Sequence, residues 1–96
     1  MTLEILTSDI LSPLRHGFYT RRGGASSGVF NGLNCGQGSS DQAEIVAINR
    51  ERVATSMGVT TGELVSMNQV HSAEVEVVDA PFEQAPTADA LVTKRP

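Results

Sequence analysis

A histidine, a cysteine and a pair of arginines set among glycines are the groups in this 96-residue chain best suited to chemistry. His71 follows Gln69-Val70 near the end of an extended stretch, where side chains can emerge into a cleft. A neutral imidazole there can ligate a metal or act as a general acid or base. The plainer reading is a surface or hydrogen-bonded structural histidine, because a metal site needs three or four ligands and nothing within helical or hairpin reach of His71 supplies them. His16 is the only other histidine. Cys35, the one cysteine, has no intrachain disulfide partner. It reads either as a nucleophile, which would need a base and a lowered pKa, or as a small packed residue.

The arginines belong to the most specialised segment, Thr20 to Gly36, which holds five of the nine glycines together with Arg21, Arg22, Ser26, Ser27, Asn31 and Asn34. Glycine permits positive φ and close backbone approach. Exposed N–H groups beside an arginine form a cradle for an oxyanion or a sugar. The spacing is not that of a P-loop, which would close on Gly-Lys-Ser/Thr. Nor is it a dinucleotide fingerprint, since no helix follows at once. The plain alternative is a connection with a turn at Gly23-Gly24.

The elements around these groups read as α+β. Leu3 to Thr7 is a short edge strand broken by Ser12-Pro13, and His16 to Arg21 is a strand running into the loop. The loop occupies Arg22 to Gly38, a length that favours a functional segment. Ser39-Ser40-Asp41 opens a helix, with Asp41 and Glu44 at capping-box spacing. Ile45, Val46, Asn49, Val53 and Met57 share its apolar face. Glu51 and Arg52 should face water, and Arg50 reads as a solvated or salt-bridged face residue. Asn49 falls among apolar residues, so its amide needs partners, and the backbone of the glycine loop can supply them. Gly58 ends the helix. Glu63 to Gln69 reads as a buried strand, Ala73 to Asp79 as a strand with one wet face, Pro81 to Pro86 as a loop and Ala88 to Thr93 as a last strand.

The net charge of −4 argues against nucleic acid or an anionic membrane as the main partner. Arg15, Arg21 and Arg22 dominate the first third of the chain, and no Lys or Arg lies from Val53 to Thr93. The N-terminal residues lack the features of a signal peptide, and no apolar run reaches membrane-spanning length. The expected compartment is the cytoplasm.

His16-Gly17-Phe18, Thr20-Arg21-x-Gly23-Gly24-x-Ser26-x-Gly28, Leu33-Asn34-x-Gly36, Asn49-Arg50, Gln69-Val70-His71 and Ala88-Asp89-Ala90-Leu91-Val92-Thr93 occur in one order. Together they resemble the N-terminal part of the YfiH-like laccase-domain family. Its members have been described as multicopper polyphenol oxidases and as purine nucleoside phosphorylases. The resemblance implies an α+β fold with mixed sheets layered between helices. It implies zinc held by the histidine of Gln-Val-His, a downstream cysteine and a second histidine, which makes His71 the metal ligand and catalytic residue. It implies phosphorolysis of adenosine or inosine, with adenosine deamination as a further activity. Arg21, Ser26 and Asn34 would bind the nucleoside and phosphate. Copper-dependent phenol oxidation is the other activity attached to the family, but two histidines are few for a multicopper site.

The family's cysteine and second histidine lie beyond the Ala-Asp-Ala-Leu-Val-Thr strand. Cys35 does not replace that cysteine, since it sits inside the Leu-Asn-x-Gly motif. The expectation is therefore the N-terminal portion, residues 1–96, of a single domain with one metal ligand of three, unable alone to hold zinc tightly or turn over nucleosides. A non-catalytic module binding an anion or a partner is the competing reading for such a chain.

Overall fold

A computed structural model describes residues 2–81 and 85–94. The chain divides into two compact units, Met1–Thr61 and Gly62–Pro96. The mixture of one α-helix with small sheets is compatible with the α+β class. Among the described residues, no helix is long and apolar enough to cross a membrane.

In the first unit, β1 (Ile5–Leu6) pairs antiparallel with β2 (Phe18–Tyr19), Ile5 opposite Tyr19 and Leu6 opposite Phe18. Both strands are shorter than the alternation of residue types suggests. A 3₁₀ turn at Asp9–Leu11 and Pro13 carry the chain between them. His16 fastens this connection: its Nε2 accepts from the Ser8 N–H at 2.8 Å and its Nδ1 lies 2.7 Å from the Leu14 carbonyl. That pairing puts the ring proton on Nδ1. His16 is thus committed to the backbone.

Helix α1 spans Ala43–Ser56. Its inward face carries Val46, Asn49, Arg50 and Ala54, all buried, with Val53 and Met57 half-buried. The helical spacing of apolar residues anticipated this face but not Arg50. The C-terminus closes as expected at Gly58, whose φ of +74° is open to glycine at no steric cost. Gly58 N–H bonds to the Thr55 carbonyl at 3.0 Å and Val59 N–H to the Ala54 carbonyl at 3.0 Å. These two bonds satisfy carbonyls that the last turn would leave orphaned, in the Schellman arrangement. The N-terminus differs from the expected capping box. Gln42 is the N-cap and makes no side-chain cap bond. Asp41 lies one residue earlier, and its carboxylate is drawn toward the glycine loop.

In the second unit, β3 (Val75–Val77) runs parallel to β4 (Ala90–Val92), with Val75 opposite Ala90 and Val77 opposite Val92. The strand expected over Glu63 to Gln69 does not form. Thr61–Glu63 is a 3₁₀ turn, and an isolated parallel bridge between Asn68 and Thr87 is the extended pairing in that stretch. Val75 and Val77 are exposed along with Glu76, so β3 buries neither face in this unit. Among the described residues of this unit, Ala88 is the buried apolar one. The centre of the loop expected over Pro81 to Pro86, residues 82–84, lies outside the described residues.

Candidate functional site

The glycine loop of the first unit is a clamped structure rather than a slack connection. Ser26 and Gly32 form an isolated antiparallel bridge through two backbone bonds of 3.0 and 3.1 Å. Between them the chain turns through a short 3₁₀ segment, Gly28–Phe30, with Val29 almost fully exposed at 95%. A second backbone strand passes beside it: a Cβ on Gly24 would lie 2.0 Å from the Gly32 carbonyl oxygen. No side chain fits there, which is the physical reason for glycine at this position.

Helix α1 holds the loop by its polar inner face. Asn49 is fully buried, at 0% exposure. Its Oδ1 accepts from Ala25 N–H at 2.7 Å, and its Nδ2 donates to Ser26 Oγ at 2.8 Å and to the Asn34 carbonyl at 2.9 Å. The amide in the apolar stripe therefore finds its partners in the glycine loop, as the sequence suggested. Arg50 and Arg52 do not face water as expected. Arg50 Nη1 donates to the Cys35 carbonyl at 3.1 Å, and Arg52 Nη1 donates to the Gly23 carbonyl at 2.6 Å. Loop carbonyls that point inward need donors, and a long guanidinium stem reaches them from a helix.

Asp41 completes the clamp. Ser26 Oγ donates to its Oδ2 at 2.7 Å and Asn34 Nδ2 donates to the same atom at 3.2 Å, while Oδ1 accepts from Gln42 N–H at 2.8 Å. The Ser26 hydroxyl bond, outweighing burial and joined by Asn34 and the Gln42 amide, holds the Asp41 carboxyl below its ordinary range.

The sequence-derived site residues thus sit in different roles within this unit. Ser26 is buried, with its hydroxyl shared between Asp41 and Asn49. Asn34 donates to Ser39 Oγ and to Asp41, and its Oδ1 accepts from Gly36 N–H. Arg21 is exposed and lines an open cavity of about 360 Å³ with Arg22, Gly23, Gly24, Asn31 and Gly32. Arg22 lies 3.9 Å from Glu4, a solvent-exposed pair of little energetic weight. Two arginines and three glycines thus line the cavity. Cys35 is half-buried, and burial pushes its thiol up, against the pull of the Arg50 charge. A thiol kept protonated is a packed residue, not an activated nucleophile.

The second unit carries His71. From Asn68 to Val75 the chain advances seven residues, while its partner advances three, from Thr87 to Ala90. The surplus is thrown out of the ladder, and His71 sits in that excursion with a left-handed φ of 59°. Asp89 spans its base. Its Oδ1 accepts from Val70 N–H at 3.2 Å and His71 N–H at 2.9 Å; its Oδ2 accepts from Ser72 N–H at 2.6 Å and Ser72 Oγ at 2.5 Å. The Ser72 hydroxyl and amide foremost, then the His71 and Val70 amides, hold the Asp89 carboxyl below its ordinary range. Sequence reasoning placed Asp89 in the Ala-Asp-Ala-Leu-Val-Thr motif and missed this role. The signal was the Asp within Ala-Asp-Ala, a polar residue interrupting a small-residue strand.

Residues 15–96 match the family described as multi-copper polyphenol oxidoreductase laccase. The chain belongs to that family. It is 42% identical over 87 residues to a purine nucleoside phosphorylase of Streptomyces coelicolor, covering 88% of this chain and 36% of that protein. To a purine nucleoside phosphorylase of Deinococcus radiodurans it is 44% identical over 84 residues, 84% of this chain and 31% of the other. A third, from Streptomyces griseus, is 36% identical over 98 residues, 99% of this chain and 40% of the other. The chain thus spans about a third of the length of the relatives it matches. The YfiH-like resemblance carried by the glycine loop and the Gln-Val-His and Ala-Asp-Ala-Leu-Val-Thr motifs is the same family.

The family name points to a bound metal, so the donor set of this chain bears on it. Among the described residues, no three His, Cys, Asp or Glu side chains converge to hold an ion. The four acceptor positions of Asp89 are taken by backbone amides and the Ser72 hydroxyl. His71 is a donor of the right kind, but the described residues do not make a zinc or copper site around it.

Proposed function

We propose that this chain forms the substrate-loop part of a purine nucleoside phosphorylase and contributes one histidine, His71, to its metal centre. The observation that carries this reading is the 36–44% identity to three proteins named purine nucleoside phosphorylase across at least 84% of the chain. The geometry of the glycine loop supports it. In phosphorolysis a phosphate oxygen bonds to C1′ of the ribose as the C1′–N9 bond breaks, and the purine leaves with the bonding electrons. The phosphate must be held and its charge balanced while positive charge develops on the sugar. Arg21, exposed beside Arg22 at the loop cavity, would take the phosphate. Ser26 and Asn34 serve substrate binding by holding the loop in shape through Asp41 and Asn49. Preorganised N–H groups then meet the ligand with little further ordering cost. Zinc is the proposed ion, with copper as the alternative. The two small sheets would join the layered mixed sheets of the family fold.

The test is a chimera that joins this chain to the portion of the Streptomyces coelicolor relative that it does not cover. Supplied with inosine or adenosine and phosphate, it should release free base and ribose 1-phosphate. His71→Ala should abolish that turnover, and Arg21→Ala should raise the KM for phosphate. Unchanged turnover in the His71→Ala chimera refutes the assignment of His71. The 96-residue chain alone should be inactive.

A further inference from the structure

The geometry points to Asp89 as the positioning residue for His71: its carboxylate gathers three successive backbone amides and so sets the direction in which the histidine leaves the sheet. This rests on the reading of His71 as the functional group of the second unit. Three observations lead to it. The excursion between Asn68 and Val75 has no ladder partner of its own, because its partner strand advances only from Thr87 to Ala90 over the same span. Its backbone donors must therefore be satisfied elsewhere. Successive N–H groups in a turn that includes a left-handed residue form a concavity for an anion. Here the anion is internal: Asp89 takes the amides of Val70, His71 and Ser72 and the hydroxyl of Ser72.

The consequence falls on His71. It carries a φ of 59°, a conformation that a residue with a Cβ adopts only when its surroundings impose it. The anchor is itself fixed, since Asp89 N–H bonds to the Glu74 carbonyl at 3.0 Å and Ala88 N–H to the Asn68 carbonyl at 3.1 Å. Those two bonds tie the carboxylate's own backbone to both ends of the excursion. A carboxylate accepts about four hydrogen bonds, two per oxygen, and Asp89 has four. It therefore has no acceptor left for a ligand, which separates it from the groups that touch one. Irregular insertions in a ladder commonly re-aim a side chain, and Asp89 is the device that makes this one rigid.

The test is nuclear magnetic resonance on the isotopically labelled 96-residue chain. The amides of Val70, His71 and Ser72 should be protected from exchange, and the couplings and Cα shift of His71 should report a left-handed backbone. Asp89→Asn, which offers one acceptor oxygen and places a donor against the amides, should speed their exchange about tenfold or more. It should also release His71 from the left-handed region while the β3–β4 amides keep their protection. A merely stabilising aspartate would lower stability and leave the His71 conformation alone. Ser72→Ala keeps the carboxylate and should give an intermediate change, and His71→Gly, which adopts positive φ freely, should raise the folding constant about fivefold. Unprotected amides in the unaltered chain, or a left-handed His71 in Asp89→Asn, overturn the proposal. This readout is conformational, so it is distinct from the chimera assay: full turnover without His71 defeats the metal-ligand reading, whereas an unmoved His71 defeats the role of Asp89.

Discussion

Asn49→Asp is the most demanding test of how the glycine loop is held. The two side chains have the same shape, so packing is preserved and only the hydrogen bonds change. Oδ1 still accepts from Ala25 N–H. The second position turns from a donor into an acceptor facing Ser26 Oγ and the Asn34 carbonyl, at 2.8 and 2.9 Å in the native arrangement. The single proton of the Ser26 hydroxyl is already given to Asp41. Two acceptors therefore lose their donor, and a carboxylate is buried on the far side of the same hydroxyl as Asp41. Each net hydrogen bond is worth about 1 kcal/mol, and leaving a buried group unsatisfied costs about 1–3 kcal/mol. The expected loss is about 3–5 kcal/mol, a large share of the roughly 5–14 kcal/mol available to a domain of this size. Urea unfolding read by circular dichroism would show it as a fall in midpoint at constant slope. Asn49→Ala should lose about as much, because it orphans Ala25 N–H as well. A loss below about 1 kcal/mol in Asn49→Asp would refute the account of the clamp.

Other outcomes follow from neighbouring residues. Gly24→Ala should destabilise the first unit by about 2–3 kcal/mol, measured by the same unfolding curve, because its Cβ would meet the Gly32 carbonyl at 2.0 Å. Asp41 has a folded-state pKa lowered chiefly by the Ser26 hydroxyl, so its contribution is present above the ordinary carboxylate range and is lost as pH falls through the folded value. Acid titration of stability should show that limb in the native chain and lack it in Asp41→Asn. The chain alone should not retain stoichiometric zinc after dialysis against a weak chelator, since no three His, Cys, Asp or Glu side chains converge among the described residues. Metal analysis of the dialysed protein checks this.

Much of the first unit was legible in the residue order because its cues are local. Helical spacing from Ile45 to Met57 marked the inner face of α1, and Gly58 marked its end, since positive φ is a property of one residue and its immediate neighbours. Asn49 could be read as a buried amide seeking backbone partners, because a polar group in an apolar stripe has few other outcomes. Asp41 was misread as a cap for the same local reason. Four residues from Asp41 to Glu44 look like a capping box, but the competing partners, Ser26 and Asn34, lie 15 and 7 positions away. Arg50 and Arg52 were misplaced because a guanidinium on a helix is ordinarily solvated. Only the return of the loop over the helix supplies carbonyls for them. The strand expected over Glu63 to Gln69 failed because apolar residues suit a strand only where a ladder partner exists.

Sequence by itself determined the family and the identity of the specialised loop. Those follow from residue types and their order, which survive without coordinates. Tertiary structure decided what holds each group in place. In the first unit it assigned Ser26, Asn34 and Asp41 to an internal clamp and left Arg21 open to solvent. In the second it joined Asp89 to an excursion 17 to 19 residues earlier and so gave His71 its conformation. Such pairings depend on strand register and loop return, and no local pattern encodes either.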